Sequence, residues 1–452
     1  VSPMSCLVRH CRVAHAALLA LPSALPLALV ANAAAPTDVS LQSEAVSKGR
    51  ATDPNGPLDL DTAADLALMG HPDLARYVFD RAAIEGRRLQ AGLKPNPEIG
   101  VDLENFAGDG LYQGADSLEA TLRLQLLVER TGKREARIGV ADAQGDQLAI
   151  ELTLARLDVL ASTTRHFIDV AETQAQFELT RRGLEYAEQT LLAAQRRVQA
   201  GAASSLETNR ARIAVERANL ALEHHEHELS VRRRHLAAQW GATEASFSEV
   251  RSELLQLPAT PEYGEWLMRL RQSPHFARFD VERRLREADV TLARSQAVAD
   301  PTFSAGVRRL QQTHDTALIA SLLVPLPVRD RNQGNIAEAL AVRDRLDRER
   351  RAAAVRSEAA LYDLSQELKH ARAQVESLRD TVIPQAREAL GLTRRGYANG
   401  RYSQIDLLDA QRTLLELESE QLRNAADYHR TLAAIERMTA LAPAARTGNP
   451  TP

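Results

Sequence analysis

The sequence has few of the residues that build compact enzyme cores or disulfide scaffolds. Aromatic side chains make up 4% of its 452 residues, and its two cysteines, Cys6 and Cys11, both lie close to the amino terminus. The rest of the chain therefore offers neither a thiol nucleophile nor a disulfide framework. With 56 basic and 60 acidic residues, the net charge is −4, which lacks the basic surplus of a nucleic-acid-binding protein. Because 44% of the residues are hydrophobic, the chain is also not disordered throughout.

The common catalytic motifs are missing as well. The sequence contains no G-x-S-x-G turn, no phosphate-binding loop and no H-E-x-x-H zinc motif. Its many carboxylates lie in helical charge patterns that ion pairs between neighbouring turns explain. We therefore expect neither enzymatic activity nor a cofactor, and an exported enzyme is the weakest of three functional hypotheses.

The first 33 residues have the pattern of a cleaved secretory signal. Arg9 and Arg12 precede a short apolar run and an A-x-A site that ends at Ala33, with Ala35 as an alternative cleavage position. We expect residues 34–57 to form a flexible mature amino terminus. No cysteine follows the apolar run, so we do not expect a lipid anchor, and no later stretch approaches the ~20 apolar residues of a transmembrane helix.

The remaining chain contains an internal repeat with an offset of about 199 residues. Ala200-Gly201-x-x-Ser204-x-Leu206-Glu207 matches Asn399-Gly400-x-x-Ser403-x-Ile405-Asp406 position by position. The repeat predicts a first half over residues 58–243, a linker over 244–260 and a second half over 261–442. We expect residues 443–452 to form a disordered tail.

Each half shows the same order of patterns: a helix, two strands, a very long helix and a shorter returning helix. The first helices are predicted over 62–92 and 261–299. Alternating polarity predicts strands at about 97–106, 118–128, 301–310 and 316–325. The long helices are predicted over 133–199 and 332–395, the latter broken only at Pro384, and the returning helices over 204–240 and 403–441.

The returning helices also show seven-residue spacings of apolar residues, which predict coiled-coil seams. These residues are Val215, Leu222, Leu229 and Leu236 in the first half and Leu408, Leu415 and Leu422 in the second.

The two β-hairpins each carry one apolar and one polar face. Such strands suit an outer membrane, where the apolar face meets lipid and the polar face lines water. The smallest membrane barrels use about eight strands, so four strands per chain require at least two chains. The alternative is a soluble β-layer that caps a coiled coil.

This order of elements resembles the TolC-type outer-membrane efflux channels, and the resemblance covers about residues 58–442. Its most specific motif is the turn signature G-Y-A-N-G-R-Y-S-Q-I-D-L-L-D-A over residues 396–410. The segments T-G-K-R at 131–134 and P-L-P-V-R-D-R-N-Q-G-N at 325–335 are most similar to the heavy-metal, CzcC-type branch.

The resemblance implies a mainly α fold with a small β part. Three chains would close a twelve-stranded outer-membrane β-barrel in lipid, continued through the periplasm by an α-helical coiled-coil barrel. The partners implied are a periplasmic adaptor (membrane fusion protein) and an inner-membrane RND-type pump, for which the channel passively conducts substrates. Heavy-metal cations are favoured as substrates, with organic toxicants as the alternative. A periplasmic coiled-coil adaptor is the competing class of protein.

The resemblance also identifies candidate gate residues. Asp406 and Asp409 share one helix face, so a trimer would carry two rings of carboxylates that favour cations and raise one another's pKa. The alternative for Asp406 is an acid favoured at the start of a helix. Tyr397 matches the family's gate tyrosine and Glu207 the acidic position of the first half, so a Tyr–Glu hydrogen bond would hold the gate shut. One residue turns a helix by about 100°, so the spacing does not predict a contact between Arg401 and Glu207.

The remaining turn residues are candidates for contact with the adaptor, with simple turn chemistry as the alternative. They are Gly201, Ser204, Leu206, Gly400, Arg401 and Ser403.

Two further clusters carry charge. His224, His225 and His227 invite a metal interpretation, but a solvated helix face is favoured over a site, and we predict no metal ligands. Acidic residues of the first hairpin would line a barrel and bias it toward cations, as any charged strand face would. These residues are Glu98, Asp102 and Glu104.

Overall fold

The computed structural model describes residues 55–440, so the predicted signal and the predicted tail lie outside the described residues. The chain is mainly helical with one small sheet, which confirms the predicted fold class. The elements of the first half are α1 (Leu60–Gly70), α2 (Pro72–Ala91), β1 (Glu98–Glu104), β2 (Glu119–Leu127), α3 (Lys133–Gln199) and α4 (Ser205–Ala237). Those of the second half are α5 (Tyr263–Gln272), α6 (Pro274–Gln296), β3 (Thr302–Leu310), β4 (Thr316–Leu323), α7 (Gln333–Ser377), α8 (Ile383–Ala398) and α9 (Gln404–Thr439).

The prediction of a single first helix in each half is wrong, because a proline divides both. Pro72 and Pro274 stand at the first position of α2 and α6. The preceding residues, His71 and Ser273, have extended backbones with ψ of 125° and 158°. A proline disfavours the helical conformation in the residue before it, and it lacks the N–H that would continue the earlier helix. Each break therefore follows from local chemistry.

The four strands form one antiparallel sheet in the order β1-β2-β3-β4, so the two hairpins of the repeat pair through β2 and β3. The register places Val101, Leu122, Val307 and Leu318 side by side. Their face of the sheet is apolar and exposed, and its other large members are Ile99, Leu103, Leu124, Leu126, Phe303 and Leu322.

Long helices extend away from the sheet. α3 has 67 residues, which gives a length of about 100 Å at 1.5 Å per residue. Its counterpart in the second half consists of α7 and α8, joined by a π-helical turn over Leu378–Val382. Pro384 follows this turn and cannot donate to Asp380, so the wider turn accommodates the missing hydrogen bond. Among residues 55–440, no helix is both long enough and apolar enough to cross a membrane.

The seam predicted on α9 is displaced by one residue. The buried seven-residue series is Leu407, Leu414, Gln421, Tyr428 and Ile435, whereas Leu408, Leu415 and Leu422 are half-buried beside it. On α4, Leu229 and Leu236 are buried as predicted, while Val215 and Leu222 are only half-buried.

The segment between the halves lies across the long helices. The Tyr428 hydroxyl donates a 2.6 Å hydrogen bond to the carbonyl of Pro258, and Gln174 exchanges hydrogen bonds with the backbone of Val250. Leu58 forms a parallel bridge with Val250. The segment therefore joins both halves to one helical core.

Candidate functional site

Two helical hairpins, α3–α4 and α8–α9, end in equivalent turns. Gly201 and Gly400 occupy the same place in these turns, with φ of 70° and 72°, a left-handed conformation that glycine adopts without strain. Turn chemistry alone therefore explains both glycines. Whether these turns also meet a partner stays a prediction.

A hydrogen bond joins the turn ends of the two helical hairpins, which we call the tips. The hydroxyl of Tyr397, at the end of α8, donates to Glu207 Oε2, in the first turn of α4, at 2.9 Å. Gln404, at the start of α9, donates from Nε2 to the Glu207 carbonyl at 2.7 Å. The predicted Tyr–Glu bond is thus present within one chain. Tyr397 is 2% exposed, and this burial, together with the bond to Glu207, raises its pKa to about 12.

Arg197, in the last turn of α3, completes this junction. Its Nη1 donates to the Tyr397 carbonyl at 2.7 Å, and its guanidinium lies 4.8 Å from the centre of the Tyr397 ring. Its Nε lies 3.9 Å from Glu207 Oε2. The cation beside Glu207 is therefore Arg197 and not Arg401, which is exposed. Sequence reasoning missed Arg197, and its only signal was a basic residue in the last turn of a helix.

Asp406 caps the start of α9. Its carboxylate accepts hydrogen bonds from the Ser403 N–H at 2.9 Å and the Ser403 hydroxyl at 2.8 Å, while its own N–H donates to Ser403 Oγ at 3.2 Å. This is a capping box. The bond from the Ser403 hydroxyl, followed by that from its N–H, lowers the pKa of Asp406. Within one chain, Asp406 therefore acts as an acid that stabilises the start of α9. The raised pKa expected for a ring of carboxylates in a trimer stays a prediction.

Asp409 lies three residues further on and is exposed, so both carboxylates share one face of α9. Arg412 donates to Asp409 at 3.1 Å from the next turn. Since both members of this pair are largely exposed, the ion pair screens the carboxylate without removing it from solvent.

The other predicted turn residues lie at the surface of the tips. They are Ser204, Leu206, Arg401 and Ser403. Tyr402 follows Arg401 and packs its ring directly against Gly396, where an added Cβ would lie 1.9 Å from the ring. A side chain at position 396 would therefore force the Tyr402 ring to move.

The polar face of the sheet carries paired charges. Arg308 donates to Glu119 at 2.8 Å and to Glu104 at 3.1 Å, and Arg123 donates to Asp102 at 3.3 Å. The predicted acidic lining is therefore partly neutralised by arginines of the neighbouring strands. The pairing follows from the β1–β2–β3 register, which the sequence pattern did not specify.

The histidine cluster does not assemble with further ligands. His227 lies 3.7 Å from Glu223 on α4, and His225 lies 3.6 Å from Glu228. No group of three or more His, Cys, Asp or Glu side chains that could hold a metal ion is found between residues 55 and 440.

The duplicated hairpins and the amphipathic sheet agree with the comparisons to known proteins. The outer membrane efflux protein family matches residues 63–242 and 268–441. The cobalt-zinc-cadmium resistance protein CzcC of Cupriavidus metallidurans is 29% identical over 383 residues, which cover 85% of this chain and 90% of CzcC. The nickel-cobalt-cadmium resistance protein NccC of Alcaligenes xylosoxydans xylosoxydans is 26% identical over 256 residues, 56% of this chain and 58% of NccC.

Solved structures share the fold. A membrane protein from Pseudomonas aeruginosa has a TM-score of 0.70 at 18% identity, covering 87% of this chain and 94% of that one. The outer membrane protein VceC from Vibrio cholerae has a TM-score of 0.66 at 18% identity, covering 84% and 95%. Since the family match spans both halves and most of the chain, the protein belongs to the outer membrane efflux protein family.

Proposed function

We propose that the protein is the outer-membrane exit channel of a tripartite efflux system and passively conducts heavy-metal cations to the exterior. The observation that carries this proposal is the two-faced sheet. Its apolar face is exposed in the isolated chain, and its opposite face bears the charges of Asp102, Arg123 and Arg308. Lipid on one side and water on the other satisfy both faces at once.

The sheet also supports a homotrimer. β1 and β4 are edge strands that have no neighbour on their outer side within residues 55–440. An open edge in a membrane leaves backbone N–H and C=O groups without partners, which a closed barrel avoids. Three copies, with β4 of one chain pairing with β1 of the next, would give twelve strands. The long helices would continue this barrel through the periplasm.

The proposed gate lies at the hairpin tips. Tyr397 and Glu207 would hold the two hairpins of each chain together, and Asp406 and Asp409 would form carboxylate rings at the constriction. The turn residues would meet a periplasmic adaptor, which connects the channel to an inner-membrane RND-type pump. They are Gly201, Ser204, Leu206, Gly400, Arg401 and Ser403. The chain would reach the outer membrane by a cleaved signal and without a lipid anchor.

Two relatives support metal cations as the cargo. CzcC is named for cobalt, zinc and cadmium resistance, and NccC for nickel, cobalt and cadmium resistance. The exposed carboxylates of Asp406 and Asp409 suit a cation in a narrow pore.

The test is survival of a deletion strain in zinc, cobalt, cadmium or nickel, compared with survival in organic toxicants. We expect metal sensitivity that the intact gene restores. The control is Gly306→Val, because a Cβ at Gly306 would lie 2.2 Å from the Leu122 carbonyl oxygen and disrupt the sheet. Sensitivity to organic toxicants alone would contradict the metal cargo. Recovery of the protein in the soluble or inner-membrane fraction would instead favour a periplasmic adaptor.

A further inference from the structure

The apolar face of the sheet continues beyond the end of β4. Leu318, Ala320 and Leu322 alternate along this face, and the same spacing continues outside the sheet. The continuing residues are Val324, Leu326 and Val328. Leu326 and Val328 are 78% and 76% exposed, among the most exposed large apolar side chains between residues 55 and 440. Exposed apolar side chains therefore continue beyond the end of β4.

Prolines separate these apolar residues and exclude strand pairing with another chain along this segment. Pro325 and Pro327 have no N–H group, so another strand cannot pair regularly along this segment. Each proline also favours an extended backbone in the residue before it. A second copy of the chain can therefore add its strand to β4 without extending the pairing over residues 324–328.

The residues that directly follow the apolar segment hold it in place. Arg331 donates from Nε to the Pro327 carbonyl at 3.1 Å, and Gln333 donates from Nε2 to the Arg329 carbonyl at 3.1 Å. Asn332 then attaches the segment to α6 through a 2.7 Å hydrogen bond to the Ala293 carbonyl. A hydrogen-bonded loop therefore holds Leu326 and Val328 at the surface of the isolated chain.

Positive charge follows directly after the apolar residues. The Arg329 side chain is exposed and makes no hydrogen bond or ion pair within the part of the chain that the structure describes. The carboxylate of Asp330, its neighbour, instead accepts from the Asn332 N–H at 2.9 Å. Apolar side chains followed by an unpaired guanidinium suit a membrane interface, where the apolar groups contact acyl chains and the guanidinium contacts phosphates.

We propose that residues 324–331 form a phospholipid-binding collar at the base of the sheet. Leu326 and Val328 enter the boundary of the acyl chains, and Arg329 binds a headgroup phosphate. This inference rests on the proposed placement of the sheet in the outer membrane. Free phosphate offers Arg329 the same oxygens but gives the apolar pair no partner, so the ligand is a lipid.

Fluorescence quenching by brominated lipid tests the collar. Trp240 and Trp266 are buried in the helical part and give a constant background. Val328→Trp is compared with Val101→Trp on the apolar face of the sheet and with Leu206→Trp at the hairpin tip, all three reconstituted in vesicles of brominated phosphatidylcholine. We expect Val328→Trp to lose as large a fraction of its added emission as Val101→Trp, and Leu206→Trp to lose none.

The two possible failures are distinguishable. Quenching of Val101→Trp without quenching of Val328→Trp would overturn the collar alone. Absence of quenching in both would overturn the membrane placement of the sheet, and with it the proposed function.

The headgroup contact is tested in vesicles of unbrominated phosphatidylcholine, half of which is replaced by brominated phosphatidylglycerol. One arginine at an anionic surface gives about a fivefold preference. We expect the Val328→Trp emission to show this preference for phosphatidylglycerol over phosphatidylcholine. The Val328→Trp/Arg329→Gln variant should lose the preference. Inorganic phosphate should leave the preference unchanged. Equal preference in both variants, or displacement by inorganic phosphate, would contradict lipid binding by Arg329.

Discussion

The hydroxyl of Tyr397 donates a 2.9 Å hydrogen bond to Glu207, a residue 190 positions earlier in the chain. This bond joins the tips of two helical hairpins that belong to different halves of the repeat. Arg197 lies beside both partners and contributes a cation to the same junction. In the proposed channel, this connection would hold the two tips of each chain together in the closed state.

Replacing Tyr397 by Phe should loosen the tip. A hydrogen bond to a charged group contributes about 1.5 kcal/mol or more, so the variant should melt at a lower temperature and conduct more current in planar bilayers. Burial and Glu207 raise the pKa of Tyr397 from 10.0 to about 12. The stabilisation is therefore complete below pH 10 and is lost as the pH rises toward 12. Tyr402→Phe is the control. If Tyr397→Phe were as stable as the parent and conducted no more current, the role of this bond would be contradicted.

The carboxylates of Asp406 and Asp409 should select cations in the assembled channel. In the double variant Asp406→Asn/Asp409→Asn, an amide oxygen still caps α9 while the charges are gone. We expect a smaller preference for cations over anions, measured as a reversal potential across a salt gradient, with thermal stability retained. Glu388→Gln on α8 serves as the control. An unchanged reversal potential would exclude carboxylate rings at the constriction.

Arg308 should limit the cation preference of the sheet. Its removal in Arg308→Gln leaves Glu104 and Glu119 uncompensated on the polar face, so cations should be favoured more strongly than in the parent. Arg309→Gln is the matched control because Arg309 lies on the opposite face, in register with Ala120 and Thr316. The same selectivity change in both variants would show that this face does not line the pore.

Gly396→Ala should disrupt the second hairpin turn. The added methyl group would overlap the Tyr402 ring, and overpacking of this kind costs about 1–3 kcal/mol. Thermal melting measures the loss. The double variant Gly396→Ala/Tyr402→Ala removes the clash and should recover most of the stability. Failure of this rescue would mean that Gly396 serves a different purpose.

Long regular patterns made most of the fold predictable from the sequence. The alternation of Ile99, Val101 and Leu103 identified a strand, and the uninterrupted helical pattern over residues 133–199 matches α3. The breaks before Pro72 and Pro274 were also signalled, since proline at the first helical position is a common start. The predictions of one helix over 62–92 and one over 261–299 leave this signal out, which explains the error.

Other features depend on contacts between distant segments. Arg197 contacts Tyr397, 200 positions later in the chain, only because α3 and α8 meet at the tips. The neutralisation of Glu104 by Arg308 depends on the register between β2 and β3. On α9, the buried Gln421 interrupts the apolar series, so the apolar pattern predicts the seam one residue too late. Local patterns do not contain this information.

The mass of the purified, lipid-embedded protein tests the central claim most directly, which is that four strands per chain close only by sharing between subunits. Native mass spectrometry of the complex released from the outer membrane should show three copies, and the complex should need detergent or lipid to remain in solution. A single chain that stays monodisperse without detergent would contradict the barrel, the carboxylate rings and the channel.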